Sequence, residues 1–191
     1  YRFDRRMTVD EVIRKLARGE GYLRSLTFPE GLTIRQMARI YENAGFGPES
    51  AFTEAATDGA LVSRIDPAAR DLEGYLFPDT YALPRRATAV DLVRKMVARF
   101  ETVFSPALGD AAVSLGMSPR EVVILASMVE KETARADERP MVAAVYHNRL
   151  RVRMGLQCDP TVIYALERAG RYTGNLTHAD LSVDSPYNTY R

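Results

Sequence analysis

The hydrophobic pattern is most telling between Ser118 and Thr133, which read SPREVVILASMVEKET. Residues 122–129 are almost wholly apolar, and the chain then turns abruptly charged at Glu130-Lys131-Glu132. Ser118 suits a helix N-cap, Pro119 the first helical position, and Glu121 closes a capping box with Ser118. A helix this apolar is normally buried, so a carboxylate continuing it is expected in a poorly solvated place. Such a place favours the neutral acid, which a general acid working near neutral pH requires. On a wheel of ~100° per residue the apolar stripe centres near Val122 and Val129. Glu130 and Glu132 fall on its opposite shoulders. One is expected to face a cleft and the other to pair with an arginine, from among Arg135, Arg139 and Arg149. The periodicity leaves open which does which.

The first 45 residues carry a faint repeat, FDRRMTVDEVIRKLARG against FPEGLTIRQMARIYENAG. Each copy places a Thr-x-x-Glu/Gln capping box, Thr8 with Glu11 and Thr33 with Gln36, before an amphipathic helix. Gly19 and Gly45 stand where helix C-termini are expected. Each copy reads as strand, turn and helix, and two such units can pair their strands under their helices. A strand is expected at Tyr1-Arg2-Phe3. Residues 48–60 read as a further helix, and Arg70 to Pro84, aromatic and bounded by proline, as an extended segment with strand character. Ala87 to Phe104 has helical periodicity, and Ser105 to Gly116 is looser. Beyond Glu132 a helix is expected over 138–153, with Met141, Val142, Val145, Tyr146 and Leu150 facing inward. Another opens at Asp159-Pro160 and closes before Gly170. A short capped turn is expected over Thr177 to Leu181.

Composition narrows the function classes. The chain has 191 residues, 46% hydrophobic and 27% charged, with a net charge of +1. That balance gives no drive toward nucleic acid or an anionic surface. No apolar run approaches the ~20 residues of a membrane helix. Both ends read as interior to a longer chain, so a membrane anchor outside it is compatible with the sequence. The single cysteine, Cys158, rules out an intramolecular disulfide. His147, His178, Cys158 and Asp159 lack the spacing of a zinc motif, so no metal or other cofactor is expected. There is no GxSxG elbow and no glycine-rich phosphate loop. Gly155 to Thr161 groups an amide, a carboxylate and a hydroxyl on one turn, and Pro186 to Tyr190 adds two phenols and another amide. Amides and aromatic faces suit sugars, although turn residues alone would also explain these strings.

Several strings taken in order resemble the YceG-like family, the endolytic murein transglycosylases called MltG. They are EGYLFPDTY (Glu73 to Tyr81), ASMVEKET (Ala126 to Thr133), Glu138-Arg139, Asn148-Arg149-Leu150, LQCDPTVIYAL (Leu156 to Leu166) and PYNTY (Pro186 to Tyr190). The resemblance implies an α+β chain. A small LysM-like N-terminal region would span residues 1–84 and a helical junction 85–110. A mainly helical, lysozyme-like catalytic domain, C-terminally incomplete, would span 111–191. It implies a lyase that cuts the MurNAc–GlcNAc β-1,4 bond of peptidoglycan, leaves a 1,6-anhydro-MurNAc end and trims nascent glycan strands. By the family's motif the first glutamate of the EKE string, Glu130, is the catalytic residue. A single carboxyl then serves as acid and base, because the attacking hydroxyl belongs to the substrate. Gln157, Tyr187 and Asn188 are the implied substrate contacts.

The implied partners are glycan strands and cell-wall synthesis enzymes, with no nucleic acid. The implied location is the bacterial inner membrane, reached through an N-terminal helix missing from this chain, with the catalytic part on the periplasmic side. The chain departs from the family pattern in that anchor and in a Gly-Leu-Pro-Pro-Gly string expected after PYNTY, so the fragment alone is open to being inactive. A non-catalytic glycan-binding protein of the same fold is the competing expectation. Simple muramidase hydrolysis is another, with Asp159 or Glu132 as second carboxylate.

Overall fold

A computed structural model describes residues 1–191 except Arg2, Asp4 and Glu20. The described residues are helix-rich with one small antiparallel sheet, and the chain divides into two compact units, Tyr1–Ala111 and Ala112–Arg191. No single helix among the described residues is long and apolar enough to cross a membrane.

The first unit begins with helix α1 (Val9–Ala17), capped reciprocally by Thr8 and Glu11. Strand β1 (Leu23–Thr27) and helix α2 (Ile34–Asn43) follow, and Thr33 and Gln36 repeat the capping box. Gly19 and Gly45 lie just past the two helices at φ 64° and 69°, the left-handed region where a side chain would be strained. Helix α3 (Glu49–Ala55) and a 3-10 turn (Gly59–Val62) lead to strand β2 (Thr80–Pro84) and helix α4 (Ala89–Val103). The repeat thus correctly marks two capped helices. β1 pairs with β2, in register from Leu23 opposite Pro84 to Thr27 opposite Thr80. Leu26, Tyr81 and Leu83 all turn to the core, and the aromatic segment read as extended with strand character supplies the partner strand. The strand expected at Tyr1-Arg2-Phe3 includes Arg2, which lies outside the described residues. Helix α1 has no buried residue, and Val9 and Ile13 are exposed.

The EGYLFPDTY string locks this unit together. Glu73 Oε1 accepts the Ile34 amide at 3.0 Å and so caps α2 from a distance in sequence. The Tyr75 hydroxyl donates to buried Asp66 at 2.8 Å, Tyr81 to the Phe77 carbonyl at 2.6 Å, and Arg99 pairs with Asp79 at 2.9 Å. Burial pushes the Tyr81 phenol up to about 12. Residues 85–110, read from sequence as a junction, contribute α4, whose Leu92, Val93 and Met96 are fully buried.

Helix α5 (Pro106–Ser114) forms where the sequence looked loose, and runs across the division between the units. In the second unit α6 (Pro119–Glu132) carries the expected Ser118–Glu121 capping box and buries Leu125, Met128 and Val129. Helix α7 (Arg139–Arg151) packs on it through Val142, Ala143 and Tyr146. Met141, Val145 and Leu150, expected inside, are exposed, because this contact uses one narrow face of α7. Helix α8 (Asp159–Arg168) starts with Pro160 in its first turn and buries Val162, Ala165 and Leu166. Asp180 caps Thr177 ahead of a last 3-10 turn (Asp180–Ser182).

Candidate active site

The C-terminal end of α6 delivers two carboxylates into different surroundings. Glu130 follows Val129 on the inner shoulder, and its Oε2 lies 2.9 Å from Arg139 Nη2 in the first turn of α7. Its side chain keeps 30% of its exposure, so the poorly solvated pocket expected from the apolar pattern is only half realised. Of the other arginines considered, Arg135 binds Asp137 and Glu138, and Arg149 donates to the Leu156 carbonyl.

Glu132, on the other shoulder, is exposed, yet its Oε2 is held from beneath. The Tyr146 hydroxyl donates to it at 3.3 Å and the Cys158 thiol at 3.8 Å. Tyr146 and Cys158 are 4% and 1% exposed, so the carboxylate rests on a dry floor. Burial is the main force raising both groups, and it keeps phenol and thiol protonated as donors. Thr133, which ends α6, donates to Glu138 at 2.8 Å and fixes the bend into α7.

The Gly155 to Asp159 turn is tied to the C-terminal loop by Thr189. The Gln157 amide donates to the Thr189 carbonyl at 3.0 Å, the Cys158 amide to the Thr189 hydroxyl at 2.9 Å, and Thr161 and Thr189 hydroxyls meet at 3.0 Å. A methyl group on Gly155 would stand 3.3 Å from the Thr189 carbonyl, so the close approach favours glycine. Gln157 takes φ 50°, a strained value for a residue with a side chain, and that side chain is exposed. Tyr190 donates to Asp159 at 2.5 Å, and this bond is the main cause lifting its phenol to about 12.

Of the three expected sugar contacts, Gln157 and Tyr187 are on the surface, while Asn188 is 5% exposed. Both Asn188 amide hydrogens go to backbone carbonyls, of Leu181 at 3.0 Å and Val183 at 2.8 Å, and its oxygen accepts the Tyr190 amide at 3.0 Å. Its side chain shapes the loop. Tyr187 meets Tyr164 edge to face with centroids 5.0 Å apart, and the Arg168 guanidinium lies within 5.7 Å of both rings. Tyr164 and Arg168 escaped the sequence reading, although their four-residue spacing on a helix was a usable signal. Tyr146 was read as an ordinary inward position, since nothing in the pattern says that its hydroxyl ends beneath a carboxylate. Among the described residues, no three or more His, Cys, Asp or Glu side chains gather as a metal ion requires.

This arrangement offers one carboxylate reachable from solvent and supported by neutral donors, with amide and aromatic side chains on neighbouring turns. It suits proton transfer to and from a bound sugar.

Known proteins resemble the chain over its whole length. An endolytic murein transglycosylase of Streptococcus pneumoniae serotype 2 (strain D39 / NCTC 7466) is 31% identical over 222 residues, an alignment taking in 100% of this chain and 40% of that protein. A protein of the same name from Bacillus subtilis (strain 168) is 29% identical over 206 residues, with 100% and 56% covered. The crystal structure of a yceG-like protein from Listeria monocytogenes superposes with a TM-score of 0.76 at 30% identity, covering 97% of this chain and 65% of that one. The chain therefore spans about half the length of the curated relatives it matches. Its residues 1–191 match the YceG-like family from end to end, and the chain belongs to that family.

Proposed function

We propose that this chain is the catalytic portion of an endolytic murein transglycosylase. It would cut the MurNAc–GlcNAc β-1,4 bond of peptidoglycan, leave a 1,6-anhydro-MurNAc end and trim nascent strands. Support comes from relatives of that name and from the paired carboxylates at the end of α6. The motif alone assigned the chemistry to Glu130. The surroundings favour its neighbour: Glu130 is occupied by Arg139, whereas Glu132 is exposed beside the Gly155–Asp159 turn and the PYNTY loop. That contrast carries our reading that Glu132 is the acid and base.

The proton balance is simple. Glu132 gives its proton to the glycosidic oxygen as the anomeric C–O bond breaks, and GlcNAc leaves as an alcohol. The resulting carboxylate takes the proton of the muramyl C6 hydroxyl, whose oxygen closes onto the anomeric carbon. No water is consumed. Gln157 and Tyr187 would contact the sugars, and Asn188 would act by holding the loop that presents Tyr187. The LysM-like character of the first unit belongs to the same proposal, as do an anchor in the inner membrane, a periplasmic catalytic side and work beside cell-wall synthesis enzymes.

The test is mass spectrometry of muropeptides released from purified peptidoglycan by the full-length protein and its Glu132→Gln and Glu130→Gln variants. Anhydro ends lost with Glu132→Gln but retained with Glu130→Gln support the reading. The reverse order would return the role to Glu130. Reducing ends would make the enzyme a hydrolase. Binding of peptidoglycan with no product from any variant would make it a glycan-binding protein.

A further inference from the structure

The floor beneath Glu132 is built for a purpose that core packing alone does not require. Tyr146 lies on the one face of α7 that packs against α6, at a position where a phenyl ring would fill the same space. Its hydroxyl nonetheless emerges under the Glu132 carboxylate, where it meets the Cys158 thiol as well. A buried hydroxyl left unbonded is costly, so each group secures the other's position.

Resting on the assignment of the acid to Glu132, we propose that Tyr146 is a positioning residue, whose hydroxyl fixes the Glu132 carboxylate in the orientation that proton transfer requires. The hydroxyl–carboxylate distance of 3.3 Å lies at the long end for such a bond. Burial holds the phenol in its neutral form, so Tyr146 can donate to Glu132 but cannot replace it as a base. The groups facing Glu132 are Tyr146 from α7, Cys158 from the turn before α8, and Tyr190, bonded to Asp159, from the C-terminal loop. Of these, Tyr146 is the buried hydroxyl donor. A donor to a carboxylate stabilises its charged form, so removing it favours the protonated form.

The experiment is steady-state cleavage of purified glycan strands by the full-length protein and its Tyr146→Phe variant across pH. Expected is a fall in kcat of about five- to tenfold with KM within about twofold, and an alkaline limb moved to higher pH. An unchanged rate and profile in a folded Tyr146→Phe protein would overturn the proposal. A rise in KM alone would do so too, since that marks binding and not orientation. Glu132→Gln is measured in parallel. If it stays active, the assignment of the acid falls and the proposal with it; if it is dead while Tyr146→Phe is normal, only the positioning role falls. Thermal unfolding supplies a readout independent of turnover. Tyr146→Phe should lower Tm less in a Glu132→Ala background than in the wild type, and equal losses in both would count against any coupling.

Discussion

The two units handle their polar side chains in opposite ways. In the first, the charged and phenolic groups of EGYLFPDTY are consumed internally: Glu73 caps α2, Asp66 takes Tyr75, and Asp79 takes Arg99. Around them Phe28, Phe52 and Tyr41 pack ring against ring with centroids 5.5 to 6.0 Å apart. In the second, the core is smaller, and polar groups from α7, the turn before α8 and the C-terminal loop converge on a carboxylate that stays open to solvent. Long family strings occur in both units, so a string's length does not reveal whether it serves folding or chemistry. What separates them is that the second unit leaves one carboxylate, Glu132, at the surface with buried donors beneath it.

The sharpest way to break this contrast is at Glu132. Glu132→Gln should reduce release of anhydro products by a factor of about 100 or more, read by mass spectrometry, with Tm nearly unchanged. In the first unit the largest effect should be on stability. Phe52→Ala, at a fully buried ring, should cost about 3–5 kcal/mol in denaturant unfolding. Asn188→Ala lies between the two kinds. It strips three hydrogen bonds from the loop that presents Tyr187, and should cost about 1–3 kcal/mol while weakening glycan binding. A smaller loss, about 1 kcal/mol, is expected when the cap of α6 is removed by Ser118→Ala.

The smallest effect concerns pH. Bonds from Arg5 and Thr8 hold the Glu11 carboxyl down to about 2 from an ordinary 4.5. A depressed carboxyl stabilises the fold above its unfolded value, and that contribution fades as pH falls from about 4.5 through about 2. Carboxyl titration by NMR would show it, and an ordinary Glu11 midpoint would refute the cap.

Helices were the legible part of the sequence. Capping boxes at Thr8, Thr33 and Ser118, and proline in the first turns of α6 and α8, are local signals that the structure repeats. The pairing of β1 with β2 was not legible, because it joins residues far apart whose alternation fits several partners. The same holds at the site. Periodicity put Glu130 and Glu132 on opposite shoulders, but which one meets Arg139 depends on how α7 returns, and no local pattern encodes that. Tyr146 illustrates the limit most clearly: its ring obeys the hydrophobic pattern while its hydroxyl serves another residue.

The tie between Thr189 and the Gln157–Cys158 backbone also acts as a clock. Two amides give their protons to a residue about thirty positions away, so their exchange with deuterated solvent is governed by how often the terminal loop lifts. Protection factors at 157 and 158 should therefore rise and fall together with those of the Tyr190 amide, and slow in step when a glycan strand occupies the neighbouring surface.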